Sequence, residues 1–589
     1  MDQRTPARKA PTSDSFDTRP AQVEKWIAAL PLANLGETGR RLYHVLIETN
    51  GTDLPAEQRL AMLERLRAPL RTVADAMKKH FVGQPLPLAD KSRQIAELAQ
   101  ALTRQMALGY RIAAEDSAKG RNRFGDRRTR AVATHRALGC LGTVLLRAYQ
   151  TYAPYPTGVW REIHALYQAA EADGSTEISL RDPEQPDVES SIEESYKRIL
   201  LLALACPYRL RPGEVEQIHA WLADWCRHAS LEHLAEPRNP TGRFVVDFQS
   251  DVPPVYLVLH AAEYRDATCR ILNATRLADV VRDHLGRLRR DGQTARRVNE
   301  QVLQRLMLAW GVLPKRRFSR RQRHSTAVVA MGLSAAHYFI GGEAAFAGDA
   351  ANQDLFGNPA RFDAREPAAS RPSRDVWDVG GARPLHEPHA GAGTEQYIDF
   401  EPLAPKTATP AAARTPVGPD FRTHDWKMVN VSAAGYRLLW DSGADSQARV
   451  GELLGLREST DPDSFHLGIG VVRWMKIAEE GLELGVEMLS PGAVAVGTKK
   501  RAGGEYTRSL LLPALKALGQ PATLLTAALP YRAGDHLLVN GHGKELRVEL
   551  TKLVENTGIF AQFQFRPLHG GTATDAAMRD DFETLWGLL

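Results

Sequence analysis

The chain has 589 residues, 43% hydrophobic and 25% charged, with 75 basic residues against 70 acidic ones and a formal charge of +5. That length and balance describe several soluble cores rather than one, and so small a surplus excludes a polycation, which makes any anion-binding role local. Four cysteines (Cys140, Cys206, Cys226 and Cys269) lie far apart with no short paired spacing, which argues against a zinc site and a secreted disulfide framework. No run of about 18 apolar residues occurs, so no membrane insertion is expected and the cytoplasmic compartment fits best.

In chain order, residues 1–22 are polar and Pro-rich with no apolar h-region, and are expected to be disordered. From 23 to 311 apolar residues recur at intervals of three and four, as in Val215, Ile218, Leu222 and Trp225, which predicts an all-α helical-hairpin region. Pro69 is expected to kink or split its helix. Tyr149, Tyr152, Tyr155 and Trp160 read as packing between helices rather than a ligand box. His164 and His219 read as satisfied core or boundary histidines.

Past Pro314 the period drops to two. Residues 325–340 are β-compatible, and 348–423, dense in Ala, Pro, Gly, Asp and Arg, are expected to be a disordered insertion. Strands resume in DWKMVNVSAAGYRLLW, HLGIGVVRWMKI and GLELGVEML. In the last of these Leu482, Leu484, Val486 and Met488 alternate with Glu483, Gly485 and Glu487. Residues 492–567 form a second β-rich domain, with a hairpin in DHLLVNGHGKELRVEL turning at Asn540-Gly541, and 574–589 predict a terminal helix.

Two stretches carry chemistry. GVLPKRRFSRRQRHST, residues 311–326, holds R-x-x-x-R twice, as Arg316 to Arg320 and as Arg317 to Arg321. NVSAAG, residues 430–435, supplies Asn430, Ser432 and Gly435. Together they resemble the PilZ domain, a family recognised by an R-x-x-x-R segment ahead of a six-stranded antiparallel barrel and by [DN]-x-S-x-x-G on its surface; Arg316 and Arg320 fit the first motif better. The resemblance covers residues 314–491. It implies a small antiparallel PilZ-like β-barrel there, and with the helical and strand periodicities on either side the chain reads as a multidomain α plus β protein: an N-terminal all-α helical-hairpin region, the PilZ-like β-barrel, then a second small β domain. The resemblance also implies cyclic di-GMP as ligand, held by Arg316, Arg317, Arg320, Arg321, Asn430, Ser432 and Gly435.

The residue types suit that ligand on physical grounds. A guanidinium group can stack on a purine, fork onto O6 and N7, or pair with phosphate. Asn430 and Ser432, two apart on a strand, share a face while Val429 and Val431 turn into the barrel, and an amide beside a hydroxyl can meet a guanine edge. A glycine at 435 removes the Cβ that would hold ligand or backbone away. The spacing poses a problem, because Arg320 and Asn430 are 110 positions apart. If 348–423 loop out between the first two strands, the site survives; if they re-route the first strand, the arginines stay away from Asn430.

Rival readings are thinner. Neither HExxH, Walker A nor GxGxxG opening a helix occurs, and GLSAAH at 332–337 lacks the closing glycine of a nucleophile elbow, leaving Ser334 an ordinary strand residue and the chain no enzyme. Arginines from 276 to 323 could follow nucleic acid, but Asp279, Asp283, Asp291 and Glu300 dilute their field. A third reading keeps the barrel as a ligand-free scaffold. The expected output is a protein partner bound by the helical half, with the arginine segment as the hinge a ligand would order.

Overall fold

The computed structural model describes residues 7–119, 123–182, 185–234, 239–257, 268–290, 297–311, 321–343, 346, 421–432, 434–459, 467–500, 504–515, 519–541 and 544–568. The segment 348–420, the terminal 574–589, and Arg316, Arg317 and Arg320 lie outside them. Among the described residues no helix is long and apolar enough to cross a membrane.

The N-terminal module begins earlier than expected. Residues 7–22 are largely exposed but tied to the module by named contacts: Lys9 bridges Thr52, and Arg8 ion-pairs with Asp116. Helices α1 (Pro20–Ala28), α2 (Leu35–Asn50), α3 (Ala56–Lys78), α4 (Asp90–Ala118), α5 (Arg123–Gln150) and α6 (Val159–Ala172) follow. Asn34 caps α2 by accepting from the Glu37 amide, satisfying a donor that the first turn leaves orphaned. Pro69 does not split α3, which runs through it; Leu66, Leu70 and Val73 hold that face in the core on both sides of the lost amide bond. After the hairpin β1 (Leu180–Asp182) and β2 (Gln185–Ser190) come α7 (Ile192–Leu204), opened by a Ser191–Glu194 capping box, and α8 (Pro212–Trp225). His164 is a core histidine as expected, bonded to the Tyr196 hydroxyl at 2.6 Å and the Val252 carbonyl at 3.1 Å.

The region to 311 is not all-α. Strands β3 (Ser230–His233), β4 (Arg243–Asp247), β5 (Val255–Tyr256) and β6 (Cys269–Asn273) form a sheet in the order β3-β6-β4-β5. These strands have at most five residues, and the middle of β4 is wholly buried, so an apolar run there lacks the alternation that separates strand from helix. Helices α9 (Thr275–Arg290) and α10 (Arg297–Gly311) close the module. The end of α10 is pinned: the Gly311 carbonyl accepts from the Gly242 amide at 2.9 Å and from the Tyr256 hydroxyl.

The first barrel contains β7 (Arg321–Met331), β8 (Thr423–Ser432), β9 (Gly435–Trp440), β10 (Leu453–Glu458), β11 (Gly468–Ala478) and β12 (Gly481–Ser490). Going round, the order is β7-β8-β9-β12-β11-β10, closed and antiparallel. Leu482, Leu484 and Val486 fill its interior, as the alternation predicts. Residues 333–340 differ from expectation. They form a helix, α11 (Leu333–Ile340), which carries Ser334 and starts past Gly332; a short apolar run fits either state until its neighbours are known.

The second barrel, β13 (Val494–Lys499), β14 (Thr507–Leu512), β15 (Thr523–Ala527), β16 (His536–Gly541), β17 (Lys544–Asn556) and β18 (Phe560–Pro567), closes in the order β13-β14-β15-β18-β17-β16. The winding is the same as in the first barrel. The expected hairpin pairing is present, but Asn540 pairs with Glu545 and Gly541 with Lys544, which puts both inside the ladder and not at its turn. An apolar layer of Ala336, Leu453, Ile469, Val471, Leu510, Leu512, Leu525 and Phe560 joins the barrels across α11. The helical module grips the first barrel as well: Leu86 and Tyr152 enter its core, and the Ile477 amide donates to the Tyr152 carbonyl at 2.8 Å.

Candidate functional site

The strand ladder answers the spacing problem. Arg321 pairs with Val431 and Gln322 with Asn430 across β7 and β8, so the long intervening segment leaves the first strand in place. The departing chain passes through α11, and residues 344–345 and 347–420 lie between it and β8. Phe346 and Phe421, near the two ends of that stretch, both lie on the Arg508 guanidinium, 5.2 and 5.1 Å from their ring centres.

The second motif is a hairpin tip. Ser432 pairs with Gly435 across a two-residue turn, the Ser432 hydroxyl donates to the Gly435 carbonyl at 3.3 Å, and the Ala434 carbonyl accepts from the Met488 amide at 3.0 Å. Gly435 answers to backbone: a Cβ there would sit 1.9 Å from the Val486 carbonyl oxygen of β12. The outward direction of Asn430 comes from a bulge between Met428 and Asn430. Met428 and Val431 both meet the interior, whereas Val429, expected inside, is absent from that core; the extra residue breaks the alternation. Asn430 and Ser432 remain on one face, flanking Val431.

Register then defines a row across the outer wall. Gln322 of β7 faces Asn430 of β8, Asn430 faces Arg437 of β9, Arg437 faces Gly485 of β12, and Gly485 faces Trp474 of β11. Residues directly opposite share a face with Cβ atoms about 4.5–5.5 Å apart. Bulges in β7 between Gln322 and Ser325, in β8, and in β11 between Val472 and Trp474 all occur at this level, where they re-aim side chains outward. With no side chain at 485, the Trp474 indole lies on that backbone; a Cβ would meet its Nε1 at 1.7 Å. Arg437 ion-pairs with Glu483, and its Nε is buried without a hydrogen-bond partner among the described residues. The Asn430 amide and Arg321 likewise have no side-chain hydrogen bond or ion pair among them, and Arg321 is exposed at the strand start. Arg323 instead leans the other way, onto Glu458 of β10. Half-burial lifts the neighbouring Tyr436 phenol above its usual pKa; the Glu458 charge adds to that shift and Arg323 opposes it.

The wall therefore gathers Arg321, Asn430 and Ser432 from the predicted set, with Gly435 holding the tip behind them. Arg316, Arg317 and Arg320 precede Arg321 outside the described residues. Arg437 and Trp474 were not singled out in the sequence. The trace they leave there is a tryptophan in one strand of a hairpin whose other strand carries a glycine in GLELGVEM. Among the described residues no group of His, Cys, Asp and Glu could hold a metal ion.

A closed six-stranded barrel with this hairpin tip beside an arginine-led first strand makes the chain a PilZ-family protein. It belongs more particularly to the FimW family. Models described as the N-terminal domain, the middle PilZ domain and the C-terminal β-barrel domain of the cyclic-di-GMP receptor FimW match residues 21–238, 243–494 and 492–568. The cyclic-di-GMP receptor FimW of Pseudomonas aeruginosa is 32% identical over 604 aligned positions, covering 97% of this chain and 96% of that protein. No solved structure matches. The middle match starts at β4, so it takes in most of the four-stranded sheet with the barrel.

Proposed function

We propose that this chain is a cytoplasmic, non-catalytic cyclic di-GMP receptor that binds the dinucleotide on the outer wall of the first barrel. The observation that carries the reading is the pairing of Arg321 with Val431 and Gln322 with Asn430, which sets the last arginine of the R-x-x-x-R motif on the strand beside the polar strip. Arg316, Arg317, Arg320 and Arg321 supply charge for the phosphates and planes for stacking. Asn430 and Ser432 supply base-edge bonds, and Arg437 and Trp474 extend the wall with a guanidinium and an indole face.

Magnitudes require the parts to act together. Two charge-assisted bonds at about 1.5–3 kcal/mol and two base stacks at about 1–3 give roughly 5–12 kcal/mol. Association costs about 4 or more, and micromolar binding needs about 8 net. Neither motif reaches that alone. With Gly311 fixed in the helical module and Arg321 in the barrel, ligand-driven ordering of the segment between them would shift how the helical half presents a protein partner.

Isothermal titration tests this. Cyclic di-GMP should bind saturably at micromolar concentration or tighter, and Arg320→Ala or Ser432→Ala should weaken it about tenfold with the unliganded Tm nearly unchanged. Binding only to random-sequence DNA duplex, with steep salt dependence, would replace the reading by nucleic-acid binding.

A further inference from the structure

The bulge in β11 has a second effect. Val472 and Met475 both point into the barrel, so the two residues between them, Arg473 and Trp474, both turn outward. Trp474 joins the ligand row. Arg473 turns to the neighbouring barrel, where its guanidinium is held bidentately by Glu555 of β17, one contact being Nη2 to Oε2 at 2.9 Å, while its Nε reaches Glu487 of β12 at 2.5 Å. Glu487 is the cross-strand neighbour of Gly435 in the hairpin-tip motif. Burial works against the Arg473 charge, yet the bonds and fields of Glu555 and Glu487 outweigh it and raise its pKa.

The contact has backing on the far side. Glu555 stands at a bulge of β17 and leads into the β17–β18 turn, whose Thr557 lies against Gly451, and the Gly451 amide donates to the Val472 carbonyl at 2.8 Å. Gly558 in the same turn leaves room for Arg211, which precedes α8. One turn of the second barrel thus meets the start of α8, the loop before β10, and the bulge of β11. A planar guanidinium fixed at three oxygens has little rotational freedom, and the peptide after it starts Trp474.

We infer that the second barrel positions Trp474 for the dinucleotide through Glu555 and Arg473, so that docking of that barrel and affinity of the first barrel's wall are one coupled property. The inference rests on the receptor reading above. Arg473 and Glu555 are positioning residues, since they face away from the row.

The test is a cycle of dissociation constants for cyclic di-GMP on the full chain: wild type, Glu555→Gln, Trp474→Ala and the double variant, with near-UV circular dichroism of each. Glu555→Gln should raise Kd about five- to tenfold, a coupling of ordinary size, and alter the tryptophan dichroism band. In the Trp474→Ala background the same change should leave Kd where Trp474→Ala put it. Arg473→Lys, which keeps the charge but not the fork, should behave like Glu555→Gln and serves if that variant folds poorly. Equal effects of Glu555→Gln in both backgrounds, or none in either, overturn the coupling and leave the receptor reading standing. No binding by the wild type removes both.

Discussion

Gly485→Ala separates the proposed ligand wall from the fold that carries it. An added Cβ would lie 1.7 Å from Nε1 and 2.2 Å from Cε2 of Trp474, against a carbon contact distance of about 3.5–4.0 Å. The indole must therefore swing off the wall by about 2 Å or change rotamer. The barrel has reason to survive. Residue 485 is not among the positive-φ glycines, alanine is favoured over glycine inside a strand by about 0.5–1 kcal/mol, and Trp474 is only partly buried and lies outside the barrel core. Losing one stacked base removes about 1–3 kcal/mol of binding, which is a rise in Kd of about 5- to 150-fold at about 1.4 kcal/mol per tenfold. Titration calorimetry reads the Kd, thermal melts read the fold, and near-UV dichroism reports whether the indole has moved. A displaced indole with Kd within about twofold of wild type would refute the idea that a base stacks there.

Gly435→Ala should do the opposite, because the added atom meets the Val486 carbonyl oxygen at 1.9 Å and no backbone can step aside cheaply; a loss of about 3 kcal/mol or more is expected as a lowered Tm without ligand. Burial pushes the Glu452 carboxyl up to about 7, with the Arg449 charge and the Leu453 amide opposing it. An acid whose folded pKa is raised favours its neutral form in the fold, so the wild type should lose stability as pH climbs from about 4.5 through 7. Thermal melts of Glu452→Gln should lack that part of the slope, and parallel curves would exclude it. Replacing residues 347–420 by a short Gly/Ser linker should preserve Tm and Kd, because Phe346 and Phe421 already meet on Arg508 and each halving of loop length changes closure by only about 0.6 kcal/mol.

Local patterns carried the site further than the fold of the helical module. The alternation of Leu482, Leu484 and Val486 announced a half-buried strand, and the two motifs marked the correct pair of neighbouring strands despite the distance between them. The sheet β3 to β6 was invisible because its strands are at most five residues long and the buried middle of β4 lacks the alternation that tells strand from helix. The row from Gln322 to Trp474 was invisible for another reason: it is made by register among five strands, and the bulges that set the register add residues without any change in composition. Arg437 and Trp474 are ordinary letters until Gly485 is seen between them. Tyr152 was read as packing between helices, and the structure corrects this: it enters the core of the first barrel.

The two barrels wind alike, and comparing their walls shows what became of the duplicate surface. On the first barrel the wall built from its opening three strands and its last carries Gln322, Asn430, Ser432 and Arg437. On the second, the matching wall carries Leu510 and Leu512 from β14, Leu525 from β15 and Phe560 from β18, sealed against Leu453, Ile469 and Val471 of its sibling. The second barrel thus spends the wall that matches the candidate ligand face of the first on apolar contact with its neighbour.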